Sequence, residues 1–407
     1  MPFGYTGFGP VIASALDVFA HASAPRGKPE FGIDSVTVNG KAFPVTESLE
    51  LQRPFGDLVR FSHPGLPENA PRLLIVAPMS GHYATLLRGT VARLIERCEV
   101  YITDWADAKM VPASAGRFDL DDYIDYVIGF LDHIGPGTHM LAVCQPSVPA
   151  LAATAVMAAD KHPARPASLT MMGGPIDTRE APTSVNDVAV DRPLSWFRHN
   201  VIATVPVGYP GAGRRVYPGF LQLTGFLAMN LQNHMMSHYQ MFMHMVNGDG
   251  ESADATKRFY EEYRSVCDMT AEFYLQTVEH VFQRHSLPKG ELVHRGKKVK
   301  IGAITDTAIL AIEGENDDIS GIGQTRAALK LATGLADSRK KYLLAPEVGH
   351  YGIFNGSKWR KVIAPVVEQF IETHRAREVA AKPRPPSAPK PRSGARRRQA
   401  GGAAAVA

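Results

Sequence analysis

Strand and helix patterns alternate along this 407-residue chain as they do in an α/β fold with a mostly parallel central sheet and helices on both faces. Three observations predict it. Short unbroken apolar runs such as Leu73-Leu-Ile-Val-Ala77 read as strands covered on both sides. Apolar residues at helical spacing, such as Tyr123, Val127, Phe130 and Leu131, follow such runs. The rhythm then breaks between about residues 177 and 298, where helical and aromatic patterns replace strands and predict an inserted helical lid.

Residues 1–33 read as an N-terminal arm, a weak amphipathic pattern (Val11, Ile12, Ala15, Leu16, Phe19) followed by a Pro/Gly-containing linker. Residues 34–176 form the first part of the core. Ser35-Val-Thr-Val38 and Lys41-Ala-Phe-Pro-Val45 flank Asn39-Gly40, a strong hairpin signal, and with Leu58-Val-Arg-Phe61 they predict an antiparallel start to the sheet. Strands are predicted at 73–77, 99–103, 139–143 and 168–172, with helices at about 83–97 and 121–134. The predicted lid, 177–298, contains Trp196-Phe197 and helical patterns at 220–245 and 258–285. Six of the fourteen methionines (Met229, Met235, Met236, Met241, Met243, Met245) crowd into that first pattern, as irregular core filling or as adaptable apolar surface. Residues 299–376 complete the core, with strands at 308–312 and 341–344 and helices at about 324–333 and 357–374. Residues 377–407, rich in Pro, Ala and Arg, cannot bury enough apolar surface to fold and are predicted to be disordered.

Composition narrows the function classes. Hydrophobic content of 45% and charged content of 21% describe an ordinary globular protein. No apolar run approaches the ~20 residues of a membrane span, and the N-terminal residues lack a basic region followed by an apolar core, so a cytoplasmic protein is expected. The net charge of +4 conceals an asymmetry. From Lys382 onward there are seven basic residues and no acidic one, which leaves −3 for the rest and no bias toward nucleic acid. Cys98, Cys144 and Cys267 are odd in number and far apart, so neither a disulfide framework nor a metal site is expected.

One stretch organises the rest. The strand pattern of His139-Met-Leu-Ala-Val143 stops at Cys144, and an Ala-rich helical pattern starts at once, with Pro146 in its first turn. A strand, a tight elbow and a helix in that order present a nucleophile above the sheet edge in the α/β-hydrolase arrangement. Ala142 and Pro146 replace the glycines usual at such an elbow, and cysteine replaces serine. A thiol nucleophile needs a base and the base needs a carboxylate, in the chain order nucleophile, acid, histidine. Asp317 or Asp318, after the strand at 308–312, supplies the acid. His350, flanked by Gly349 and Gly352 after the next strand, supplies the base. Oxyanion donors are expected from the N–H of Gln145 and from Met79 or Ser80 in Pro78-Met-Ser-Gly-His82, where His82 either faces the site or is structural.

With these residues in place the chain resembles the intracellular polyhydroxyalkanoate (poly-3-hydroxybutyrate) depolymerases. The resemblance is carried by Val76-Ala-Pro-Met-Ser-Gly-His82, Tyr101-Ile-Thr-Asp-Trp-Ala106, Ala142-Val-Cys-Gln-Pro-Ser147, Met172-Gly-Gly-Pro-Ile-Asp177, Glu313-Gly-Glu-Asn-Asp-Asp-Ile-Ser-Gly321 and Val348-Gly-His-Tyr-Gly-Ile-Phe-Asn-Gly-Ser357. It implies Cys144 as nucleophile, Asp317 as acid and His350 as base, and it accounts for Ala142 and Pro146. It also implies cleavage of stored polyester esters through a cysteinyl thioester, at granules in the cytoplasm, with no cofactor beyond coenzyme A as a secondary acyl acceptor. The stretch 220–245 is the expected granule contact, while the basic tail either adds attraction to an anionic granule coat or is simply solvated. Two other readings share the scaffold: a polyester synthase-like acyltransferase, whose cysteine box carries glycines that Ala142 and Pro146 lack, and a non-catalytic granule protein. Oligomeric state and monomer preference are not legible.

Overall fold

The computed structural model describes residues 27–222 and 265–375 and is built on one eight-stranded sheet. The expected hairpin forms from β1 (Ser35–Val38) and β2 (Lys41–Pro44), with Asn39 and Gly40 both at positive φ, as a two-residue turn that follows strand twist requires. It stands apart as its own two-stranded ribbon. The antiparallel start of the main sheet is instead β3 (Thr46–Leu51) paired with β4 (Gly56–Ser62).

Next come β5 (Arg72–Val76), β6 (Glu99–Trp105), β7 (His139–Val143) and β8 (Ser168–Met172), all largely buried, as unbroken apolar runs predict. Five short strands follow. β9 (Ala203–Thr204), β10 (Arg215–Tyr217) and β11 (Met269–Thr270) form a small antiparallel sheet, and β12 (Val293–His294) with β13 (Lys297–Lys298) forms a ribbon. β14 (Ala308–Gly314) and β15 (Lys340–Ala345) then rejoin the main sheet. Its order is β15-β14-β8-β7-β5-β6-β4-β3, parallel from β6 through β15 and antiparallel at β4 and β3. This strand order is that of the α/β-hydrolase fold.

Topology places the helices. The step from β5 through helix α1 (Arg88–Leu94) to β6 runs one way along the sheet, and the step through α2 (Leu120–Ile134) to β7 runs back. Because parallel crossovers are right-handed, α1 and α2 cover opposite faces. Helix α3 (Ser147–Ala159) follows β7 in the same direction as α2 and packs beside it. Helices α4 (Ser184–Val190), α5 (Leu194–Asn200) and α6 (Ala271–Thr277) lie in the described part of 177–298. After β14 comes α7 (Ala327–Leu331), and the closing helix α8 (Ala364–Thr373) packs on the α1 face. The sequence predicted one helix over 83–97. It divides into a tight turn at Ala84–Leu87 followed by α1.

The candidate active site at the carboxyl edge of the sheet

Parallel strands end together, and their registers bring distant residues to one rim. Val143 lies opposite Met172, Met172 opposite Ile312, and Glu313 opposite Leu344. The loops after β7, β8, β14 and β15 therefore emerge side by side, carrying Cys144, Gly173-Gly174, Asp317 and His350.

Cys144 sits at φ 65°, in the left-handed region that costs a residue with a Cβ about 1–2 kcal/mol. The turn is held in place by the Cys144 N–H donating to the Met172 carbonyl at 2.7 Å and by Ser147 N–H donating to the Cys144 carbonyl at 3.0 Å. A strained elbow directly before α3 keeps the sulfur half-exposed, whereas Cys98 and Cys267 are buried. Burial pushes the Cys98 thiol up to about 12 and the Cys267 thiol higher.

His350 is nearly enclosed. Its Nδ1 lies 2.8 Å from Asp317 Oδ2 and 3.0 Å from Oδ1, and the Cys144 side chain is near enough to act on the ring electrostatically. Burial by itself would lower the imidazole, but the Asp317 carboxylate and the Cys144 sulfur outweigh it and hold His350 well above its ordinary value. The carboxylate is fixed in turn, because Oδ1 accepts the N–H groups of Ile319 at 2.9 Å and Ser320 at 2.8 Å. Of the two adjacent aspartates, it is Asp317 that meets the ring.

The loop after β5 starts from a firmly held peptide. Ala77 N–H donates to Thr103 Oγ1 at 2.9 Å, and the Ala77 carbonyl accepts from Trp105 Nε1 at 2.8 Å and Tyr123 OH at 3.2 Å. Since β5 adjoins β7 with Val76 opposite Ala142, buried Met79 and half-buried Ser80 follow one strand end while Gln145 follows its neighbour. The Ser80 carbonyl accepts from the Gln222 side chain, and the Gly81 carbonyl accepts from Cys267 N–H at 2.8 Å. His82 is buried and pairs its backbone with Val266.

Gly173 and Gly174 matter more than their place in a motif discloses. Gly173 has φ +57°, and a Cβ there would stand 3.1 Å from His350 Cε1 and 3.2 Å from Asp317 Oδ2. Gly174 exchanges hydrogen bonds with Thr325 Oγ1, donating at 2.8 Å and accepting at 3.0 Å, and a Cβ on it would strike Ser147. The double glycine is the sequence signal for this close approach. Thr325 carries no comparable signal.

Among the described residues, no group of His, Cys, Asp and Glu is arranged to hold a metal ion, and no helix is long and apolar enough to cross a membrane. Of the stretch 220–245, the structure describes 220–222, with Phe220 exposed. The methionines lie outside the described residues, as do residues 1–26 and 376–407.

Residues 173–375 match the family described as PHB de-polymerase C-terminus. No curated protein matches the sequence. Similar solved structures include a monoacylglycerol lipase of Paleococcus ferrophilus (12% identity, 78% of this chain and 98% of that one, TM-score 0.47). A meta-cleavage product hydrolase of Pseudomonas fluorescens is another (14% identity, 83% and 97%, TM-score 0.43).

Proposed function

Through residues 173–375 the chain belongs to the PHB depolymerase family, and from that premise we propose that this ester hydrolase cleaves stored poly-3-hydroxybutyrate through a thioester on Cys144. The observation that carries the reading is the elbow cysteine at positive φ, whose side chain acts on a histidine that is held at Nδ1 by a buried carboxylate.

Each group then has a task. The Cys144 sulfur attacks the ester carbonyl carbon while its proton resides on His350. The carbonyl oxygen takes up negative charge and accepts N–H bonds from Gln145 and from Met79 or Ser80, next to the start of α3, where negative charge is favoured. The tetrahedral adduct collapses, His350 protonates the departing chain hydroxyl, and a 3-hydroxyacyl thioester remains on Cys144. Water, losing its proton to His350, opens the thioester and releases the acid. Asp317 holds the imidazolium that forms at each stage, which agrees with the raised His350 value. Coenzyme A is a second acceptor for the same thioester, and product analysis with and without it separates the two.

The polymer's path to this edge is proposed to run past a lid formed by residues 177–298, and exposed Phe220 opens the stretch proposed to contact the granule surface. No step calls for a cofactor. Native amorphous granules should release soluble 3-hydroxy acids with the wild type and none above background with Cys144→Ala. Iodoacetamide should modify Cys144 ahead of the buried Cys98 and Cys267 and abolish release in proportion. Full hydrolysis by Cys144→Ala would end the thioester reading.

A further inference from the structure

Glu313 is the penultimate residue of β14, four residues before Asp317, and is wholly buried. A carboxylate in that position is tolerable only if its oxygens are satisfied. They are. Oε2 accepts the Gly323 N–H at 2.8 Å and the Tyr342 hydroxyl at 2.7 Å, and Oε1 accepts the Arg326 N–H at 2.8 Å. Tyr342 stands on β15 beside β14, and the Arg326 guanidinium lies over its ring at 5.1 Å.

Two of the three donors, Gly323 and Arg326, belong to the segment that carries the acid. From Asp317 the chain turns under Ile319 and Ser320, both bonded to Asp317 Oδ1, and returns to Glu313 through Gly323 and Arg326. Thr325, between those two, is the residue that holds Gly174 beside the elbow. A single buried carboxylate therefore anchors the far end of the loop to the strand from which it started. The near end bears Asp317, whose carboxylate meets His350 Nδ1 at 2.8 Å.

We propose that Glu313 is a positioning residue for catalysis, whose carboxylate binds Gly323 N–H, Arg326 N–H and Tyr342 OH and so holds the loop with Asp317 against His350. This rests on the reading of Cys144, His350 and Asp317 given above, but it does not require the polyester as substrate. A small displacement of a hydrogen-bonded relay is costly, so loosening the loop should be felt in the chemical step more than in binding.

The test is Glu313→Gln, which keeps the volume but turns an amide NH2 toward groups that are themselves donors. Ester turnover (kcat) should fall about tenfold to a hundredfold with KM changed less than about twofold. The pH dependence of Cys144 alkylation by iodoacetamide, which needs no ester, should move toward that of Asp317→Asn. In an Asp317→Asn background, Glu313→Gln should cause no further change, because both act through one contact. Tyr342→Phe, which removes one donor of the three, should shift kcat and the alkylation profile in the same direction by less, and it serves if Glu313→Gln does not fold. A lowered melting temperature with kcat and alkylation profile unmoved would overturn the proposal, as would losses that simply add in the double variant. Failure of the thioester reading would look different: turnover would survive Cys144→Ala, whereas the alkylation comparison would still report on Glu313.

Discussion

Two buried histidines stand at opposite ends of the same sheet, and they are driven in opposite directions. His139 opens β7, the strand that ends just before Cys144, and is 1% exposed, while His350 follows β15 and is 5% exposed. His139 has a hydroxyl for company, Ser168 Oγ at 2.7 Å from Nδ1. Burial, with a small push from His374 and Arg375, lowers it to about 4. Burial also acts to lower His350, yet Asp317 and Cys144 carry it well above its ordinary value. Burial alone thus does not decide the charge of a histidine. The loops after the parallel strands bring a carboxylate and a sulfur to bear on His350, and neither raises His139.

The largest effect expected from this contrast is on turnover. His350→Ala should lose about 10²–10⁴-fold in kcat, the range ascribed to a general acid–base group, while His139→Gln should leave kcat nearly intact. Measured on the same granule preparation, an equal loss in both variants would break the comparison. The role of His350 would then be no more than structural.

Acid stability comes next, and its sign follows from His139. An unfolded chain takes up a proton near the ordinary value of 6.5, whereas the folded chain waits until about 4. Between those values the unfolded state binds more protons, so stability falls as pH drops through this window and the loss levels off below it. At pH 5 the loss is about 2 kcal/mol relative to neutral pH, and His139→Gln should abolish that part of the slope in urea titrations. His350 has the reverse sign. Its raised value contributes stability that is present below 6.5 and is lost as pH rises through the folded value. Equal pH slopes for wild type and His139→Gln would show that this end of the sheet is not held neutral at a cost.

How much of this was legible in the sequence differs between the two ends for physical reasons. Apolar runs mark β5, β7, β8 and β14 because strands covered on both faces have no polar side to interrupt them. β3 was missed, since Thr-Glu-Ser-Leu-Glu-Leu on an outer strand reads as polar text. The Asn39-Gly40 hairpin was visible, but no local signal tells whether a hairpin joins the main sheet, and this one does not. Cys144, Asp317 and His350 could be placed on loops after strands, and chain order makes those loops neighbours. Glu313 could not be separated from Glu315, Asp317 and Asp318, four carboxylates within six residues, because what distinguishes it is a set of donors ten to twenty-nine residues away. His139 likewise gives no sign in the sequence that it is neutral. Its surroundings come from β8 and the end of the last helix.

The smallest expected effect separates backbone strain from crowding at the site. Gly173 and Gly40 both hold positive φ, at 57° and 78°, so alanine at either should cost about 1–2 kcal/mol of stability through its Cβ. They differ in what the new methyl would meet. At Gly40, in the ribbon outside the main sheet, nothing lies within 4 Å, whereas at Gly173 it would lie 3.1 Å from His350 Cε1 and 3.2 Å from Asp317 Oδ2. The ring and the carboxylate must then give by a few tenths of an ångström, and a relay that depends on their 2.8 Å contact should respond. Gly173→Ala is expected to lower kcat about tenfold at similar KM, and Gly40→Ala to lose comparable stability with kcat unchanged. If instead the two variants lose turnover only in step with stability, the space beneath His350 and Asp317 is a folding requirement and the relay tolerates displacement.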